Sequence, residues 1–269
     1  MRGLLFSAVA LLSAANAYAQ AQDEATASLV AAERAFARDA SVRTVNDAFL
    51  AVLADSAILF RPTPVLGRVS LGERPMRATL SLVWVPTYAE TSSDGRFGFD
   101  GVPSEFGERG QPPAATGFFF SVWRRNHGVW QLETDCGISS PIDARPDSAA
   151  HLLTMRASRN PIRDTRPLAA VEQWLITDYK HRFAQLADED ARVYREGTMP
   201  TTTRADAIAL VNRDADVEHA ISRVVVAGAG DLGYVVGVID PNGSKPRGYQ
   251  RMYRHGTDGR WRIAVDCRP

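Results

Sequence analysis

Gly117-Phe118-Phe119-Phe120-Ser121-Val122-Trp123-Arg124-Arg125, followed by Gly128-Val129-Trp130 and Asp135-Cys136-Gly137, is the stretch from which the fold can be read, because it returns at the end of the chain. Gly117, Gly128, Trp130, Asp135 and Cys136 recur as Gly248, Gly259, Trp261, Asp266 and Cys267, each pair 131 residues apart. Two β-rich runs separated by a short glycine-containing turn read as a hairpin. A hairpin repeated at constant offset, with like segments before each copy, is a duplicated folding unit.

Upstream of the first copy, Leu29, Ala32, Phe36 and Ala40 recur at helical spacing, and Val42, Val45, Phe49, Val52 and Leu53 follow as a second run. The second copy opens likewise with Leu175, Tyr179, Phe183 and Leu186, with Trp174 beside the stripe. Helix should give way to strand at Leu53-Ala54-Asp55 to Phe60-Arg61, and at Leu186-Ala187-Asp188 to Tyr194-Arg195. Thr203 with Asp206 three residues later predicts a capped short helix before Ile208 and Val211. Its counterpart, Gly67 to Pro75, carries Gly72 and Pro75, and the expectation is that this helix has decayed. The expected strands are Thr79 to Ser92, Arg96 to Gly101, Gly117 to Arg125 and Val129 to Cys136, against Val217 to Ala227, Leu232 to Ile239, Gly248 to His255 and Trp261 to Cys267. Helices followed by an antiparallel meander define an α+β class. Residues 141–166, with Pro141, Pro146 and Pro161, read as a linker holding one helical turn around Leu152 to Met155. Asp100 to Thr116 reads as a long hairpin loop, a surface insertion or a cover over a pocket mouth.

The first nineteen residues carry Arg2, the apolar stretch Leu4 to Ala15 and Ala17-Tyr18-Ala19, the pattern of a signal peptide cleaved after Ala19. The expectation is a periplasmic or secreted protein that leaves the membrane once the signal is removed. The chain has 31 basic and 31 acidic residues, so nothing in its balance attracts nucleic acid or an anionic membrane. The two cysteines are repeat equivalents. An oxidising compartment invites a disulfide, but strand alternation places Cys136 with Trp130 and Leu132, and Cys267 with Trp261, Ile263 and Val265, on faces that should pack inward in separate cores, which favours two buried thiols.

Gly228-Ala229-Gly230-Asp231-Leu232-Gly233 matches a dinucleotide fingerprint in letters, but Tyr234-Val235-Val236-Gly237-Val238 after it is a strand, and the pyrophosphate would need a helix there. Ser93-Asp94-Gly95-Arg96-Phe97-Gly98 occupies the same place in the first copy, which makes both stretches hairpin turns. No cofactor is expected. Hydrolase and metal signatures are absent, and His127, His151, His181, His219 and His255 lie far apart, so no metal is expected. Asp135 and Asp266 share strand faces with Gln131 and Glu133, and with Arg262, which points them to solvent or to a sheet interface unless a bulge re-aims them. Aligning the glycine turns places Trp84 opposite His219 and Tyr88 opposite Arg223. The following strand offers Phe118, Phe120 and Val122 in the first copy and Tyr249, Arg251 and Tyr253 in the second. The candidate ligand-pocket set is therefore Trp84, Tyr88, Phe120, Tyr194, Arg223, Tyr249 and Arg251, with His219 and Asp266 as candidate catalytic groups. An ordinary solvated sheet face is the competing reading of that set. Phe118 to Trp123 is apolar on both faces, so something should cover the outside of that sheet; a pseudo-dimer of the two copies and a homodimer both satisfy this.

The hairpin motif, with Ala31-Ala32-Glu33-Arg34-Ala35-Phe36, Phe60-Arg61-Pro62, Gly67-Arg68 and Trp84-Val85-Pro86, resembles SnoaL-like domains of the nuclear transport factor 2-like superfamily over most of residues 24–140. The second copy keeps Tyr194-Arg195, Gly230-Asp231-Leu232-Gly233-Tyr234, Gly248-Tyr249 and the Trp261 strand, but ends its motif on Arg268 where the first has Gly137. The resemblance implies two tandem cone-shaped domains, residues 24–140 and 167–269, each with about three helices on a curved antiparallel sheet around a pocket. The superfamily includes ketosteroid isomerases, scytalone dehydratase and polyketide cyclases, and also members that only bind or dimerise. The expectation is a noncatalytic protein binding a small apolar or anionic ligand or a partner; the alternative is a cofactor-independent isomerase, dehydratase or cyclase with its site in the second domain. Fold analogy transfers no activity.

Overall fold

The computed structural model describes residues 3–141, 152–156, 167–240, 242–243, 245–256 and 258–269, with the side chains of 3–19 and 154–156 excepted. The helical runs of the first repeat form α1 (Gly3–Val42), α2 (Val45–Val52) and α3 (Gly67–Glu73), separated by strands β1 (Leu53–Phe60) and β2 (Pro64–Leu66). Thr44 caps α2: its hydroxyl accepts from the Asp47 amide at 3.1 Å, satisfying one of the amides a helix start leaves open. Helix α3, expected to have decayed, is present. It tolerates Gly72 in its last turn and stops at Glu73, before Pro75. The candidate leader, residues 1–19, falls on the beginning of α1 and on residues 1–2, which lie outside the described part.

The meander continues with β3 (Leu80–Trp84), β4 (Tyr88–Thr91), β5 (Phe97–Glu108), β6 (Ala115–Asn126) and β7 (Val129–Ser140). One strand was expected over Thr79 to Ser92; Pro86, which cannot donate to a ladder, splits it in two. β5 is long enough to serve both pieces, pairing Tyr88 with Gly101 and Trp84 with Ser104. The expected loop from Asp100 to Thr116 is therefore mostly strand, closed by a short turn between Glu108 and Ala115. Leu152 to Met155, expected as a helical turn, contributes β8 (Leu153–Arg156), parallel to β4. The rest of the expected linker lies outside the described residues apart from Pro141.

The second repeat has α4 (Leu168–Ile176), α5 (Tyr179–Leu186), β9 (Ala187–Arg195), α6 (Arg204–Val211), β10 (His219–Val226), β11 (Leu232–Ile239), β12 (Arg247–His255) and β13 (Trp261–Arg268). Thr203 caps α6 through the Asp206 amide at 3.2 Å, as its spacing predicts. The glycine-rich stretch is a turn between β10 and β11, with Gly230 at φ 77° matching Gly95 at φ 65°, a region that disfavours side chains. The strands form two sheets, β2-β1-β7-β6-β5-β4-β8 with β3 also on β5, and β10-β11-β12-β13-β9. Most pairings are antiparallel, but β1 lies parallel to β7 and β9 parallel to β13. Each repeat is thus an α+β unit whose helices cover one face of its own sheet.

A bulge in each terminal strand decides what those faces carry. In β7, Leu132 pairs with Trp123 but Thr134 pairs with Val122, which makes Glu133 the extra residue. In β13, Ile263 pairs with Tyr253 and Val265 with Met252, leaving Ala264 extra. One added residue inverts the alternation beyond it. Trp130 and Leu132 therefore stay inside the first unit, while Cys136 and Ile138 turn outward. Trp261 and Ile263 stay inside the second, while Val265 and Cys267 turn outward.

Those outward residues meet. Phe60, Tyr88, Phe97, Phe99, Phe120 and Cys136 share one buried core with Tyr194, Leu232, Tyr234, Val236, Met252 and Cys267. Cys136 and Cys267 are joined in a disulfide, with Cα atoms 6.5 Å apart. The expectation of separate cores fails because the bulges move both cysteines to the shared face. Phe97 stacks on Tyr234, the Tyr88 and Tyr194 hydroxyls meet at 3.1 Å, and Arg254 Nε donates to Glu90 Oε2 at 2.8 Å.

Candidate functional site

The same bulges that send the cysteines outward turn Asp135 and Asp266 inward, and the two carboxylates meet different surroundings. Inside the second unit Asp266 is fully buried. It accepts from the Tyr179 hydroxyl and from Arg195 Nη2 at 3.1 Å, and Arg251 Nε lies 3.3 Å from its other oxygen. Arg251 also donates to Glu172 of α4, which accepts from the Tyr249 and Tyr253 hydroxyls as well. Arg195 grips Asp214 with two nitrogens at 2.8 and 3.0 Å, and Arg268 joins them through Asp214 at 3.3 Å. Arg268 also donates to His219 Nε2 at 3.1 Å. Burial alone would push Asp266 up, but Arg251, Arg195 and Arg268 outweigh it and hold the carboxyl well below its ordinary range. His219 is pushed down to about 3, by burial first and then by Arg251 and Arg268, so it is neutral near pH 7. Three arginines thus face Glu172, Asp214 and Asp266, and the rings of Tyr179 and Tyr249 lie against the Arg251 guanidinium at 4.7 and 4.3 Å.

The first unit answers the same positions with space. A cavity of about 430 Å³ opens between β1, β5, β6 and β7, lined by Leu59, Phe60, Leu80, Leu82, Phe106, Phe119 and Ile138, with Arg61 and Glu196 among its polar lining residues. It reaches Asp135, which also belongs to a narrow inner end walled by Phe36, Phe49, Trp84, Val102 and Phe119 and carrying Glu33 and Ser121. Ser121 donates to Asp135 at 3.1 Å, and Trp84 Nε1 donates to Glu33 Oε1. Burial pushes Asp135 up to about 6, against the Ser121 hydrogen bond and the more distant Arg61. Burial likewise pushes Glu33 up to about 7, against Trp84. Asp100 of β5 is raised well above its usual range by burial and by Glu33 beside it. Glu33 and Asp135, two carboxyl groups whose charged forms are disfavoured, therefore stand at the inner end of an apolar cavity, with Asp100 beside Glu33, and there they can donate as acids or exchange protons close to neutrality.

The residues expected at the site separate accordingly. Trp84 lines the inner end of the first cavity. His219, Asp266, Tyr249 and Arg251 come together, buried in the interior of the second unit. Tyr88, Phe120 and Tyr194 lie instead in the core between the sheets, and Arg223 donates to the Ser56 carbonyl at 2.7 Å. The pocket assignment for these four is corrected by two features. The break at Pro86 puts Trp84 and Tyr88 on opposite faces. The pairing of Cys136 with Phe120, and of Cys267 with Gln250, makes Ser121 rather than Phe120 the counterpart of Arg251. Glu33, Asp100, Glu172, Arg195, Asp214 and Arg268 carried no functional assignment in the sequence. A signal existed for two of them: Glu33 falls four residues after Leu29, and Glu172 four after Leu168, so each is a carboxyl inside an apolar helical stripe. A separate, wider groove of about 940 Å³ runs along the middle of α1, from Ala21 to Ser28, and the turns at Ser93–Phe97 and Arg124–Gly128, and holds none of the expected residues.

No family model matches the chain, and no curated protein matches it in sequence. Solved structures similar to it include a nuclear transport factor 2-like protein from Silicibacter pomeroyi (20% identity, 38% of this chain and 91% of that one, TM-score 0.30). Nuclear transport factor 2 from Cryptosporidium parvum is another (14%, 41% and 94%, 0.32). A third is a ketosteroid isomerase-like protein from Erwinia carotovora atroseptica (15%, 38% and 88%, 0.30). Each of the three is covered over most of its own length and matches about two fifths of this chain.

Proposed function

We propose that the first repeat binds a small, largely apolar molecule and that the second repeat is its scaffold. The observation that carries this reading is the cavity of about 430 Å³ with Asp135 at its inner end, set against a second interior closed by its own arginines and tyrosines. An apolar cavity with a few convergent polar groups is the usual form of a ligand site. The test is binding of a neutral apolar fluorophore, Nile red, to the protein and to Leu82→Trp, which would fill the neck shared by the cavity and its inner end. Saturable binding lost in L82W supports the reading; equal binding by both sinks it.

A second reading, acid-base catalysis, draws on Asp135 alone: a carboxyl near pH 6 in an apolar site can exchange protons under neutral conditions. It moves the candidate catalytic group from the second repeat to the first. Its mark would be a substrate whose turnover is lost in Asp135→Asn while its binding is retained.

Export belongs to the same proposal. Cleavage after Ala19 would leave in place the buried contact in which Gln22 Nε2 donates to the Thr91 carbonyl at 2.7 Å. A disulfide at Cys136–Cys267 suits an oxidising compartment. Amino-terminal sequencing of the exported protein should begin at Gln20; an uncleaved chain retained in the cytoplasm would contradict it.

A further inference from the structure

The two units bury the same pair of acids and neutralise them differently. In the second, Glu172 of α4 and Asp266 of β13 are bridged by Arg251, which stands opposite Asp266 on β12. In the first, Glu33 of α1 and Asp135 of β7 hold the corresponding places, but the residue opposite Asp135 on β6 is Ser121. The next strand widens the contrast: Asp100 stands opposite Ser121 on β5, whereas Val235 stands opposite Arg251 on β11. The first unit therefore has Asp100 where the second has Val235, and lacks the central guanidinium. Arg61 lines only the outer cavity, as does Glu196; neither Lys nor Arg lines the inner end. Glu33 is almost wholly buried there, and its Oε2 meets no hydrogen-bond partner among the described residues.

Buried carboxyls in apolar surroundings are stable only when a proton, a hydrogen bond or a cation compensates them. The second repeat builds that cation into the chain and surrounds it with the rings of Tyr179 and Tyr249. The first repeat keeps the aromatic surroundings, in Phe36, Phe49, Trp84 and Phe119, around an inner end of about 10 Å³ that shares Phe49, Leu82, Phe119 and Asp135 with the larger cavity. Carboxylates flanked by aromatic faces are suited to an organic cation, whose charge the acids neutralise and whose body the rings cover.

We propose that the first-repeat cavity takes an apolar organic cation, an amine, amidine or guanidine, whose charged group meets Asp135 from the cavity as Arg251 meets Asp266 in the second repeat. This rests on the first cavity being a binding site, and it narrows the class of ligand.

The experiment is isothermal titration of the protein at pH 8 with 2-phenylethylamine, phenylguanidine, 2-phenylethanol and 3-phenylpropionate, alongside Nile red. The two cations are expected to bind at least tenfold more tightly than the alcohol, with the carboxylate weakest. Ser121→Arg, which places the second repeat's guanidinium in the first, should abolish cation binding. Asp135→Asn should remove the tenfold preference and provides the test should S121R fail to fold. Nile red binding with no preference for the cations would overturn the charge assignment and leave the binding site standing. If neither Nile red nor any of the four probes binds, both readings fall.

Discussion

The interior of the second unit and that of the first differ chiefly in who supplies the positive charge. Arg195, Arg251 and Arg268 lock Asp266, Asp214 and Glu172 into a closed ionic core. Asp135, Glu33 and Asp100 share an interior that has no such partner and retain a cavity instead. Duplication preserved the bulged strand that aims an aspartate inward in both copies, and a few changes on the facing strands decided whether the aspartate is part of a structural network or available to a ligand. Carboxylates in identical backbone settings thus acquire opposite electrostatics.

The largest effect that could break this comparison is expected from Arg251→Met. It leaves Glu172 and Asp266 buried without their shared cation and should cost about 3–5 kcal/mol in urea denaturation. A cost below about 1 kcal/mol would mean that the network is not the core it is described as. Loss of the disulfide, through Cys136→Ser with Cys267→Ser, should cost about 2–5 kcal/mol under oxidising conditions. Adding reductant should then lower the stability of the parent towards that of the double variant and leave the variant unchanged.

The sharpest test applies one substitution to both units. Asp266 is held below its unfolded value, so its contribution to stability is full above about pH 4 and is lost as the pH falls through its depressed folded value; Asp266→Asn should destabilise at pH 7. Asp135, at about 6 in the folded protein against 3.8 unfolded, behaves in the opposite sense. The folded state holds the extra proton across that window, so stability declines as the pH rises from about 4 to 6. Asp135→Asn should therefore stabilise the protein at pH 8, by up to about 3 kcal/mol, and have little effect at pH 4. Denaturation curves at both pH values check the sign; destabilisation at pH 8 by both variants would remove the distinction between the units. The smallest effect is expected at the helix caps, which the units share. Thr44→Ala and Thr203→Ala should each cost about 1 kcal/mol, read as paired shifts in midpoint.

Much of this architecture was legible in residues whose signals are local. Thr203 and Asp206 marked a helix start because a cap needs only residues three apart, and Gly230 marked a turn because a left-handed backbone favours glycine. The junctions at Leu53 and Leu186 were visible because the apolar period changes there. Helix α3 was missed because Gly72 and Pro75 weigh heavily in a short window, although the first falls in the last turn and the second beyond it. Of the site, Trp84 lies at a cavity, and Arg251, Tyr249, His219 and Asp266 lie together in the second unit. Their setting was not legible, since whether a set of polar side chains lines a space or fills it depends on the summed volume of residues far apart in sequence.

The repeated hairpin by itself determined that one α+β unit occurs twice, and that its glycine-rich stretches are turns between strands. Only the tertiary structure decided which way the terminal strands face. A single extra residue, Glu133 in one and Ala264 in the other, leaves the composition of a strand untouched yet inverts every side chain after it, because the pleat has a period of two. That inversion joined two cysteines expected in separate cores and turned two aspartates inward, one toward the arginines that enclose it and one toward an open cavity.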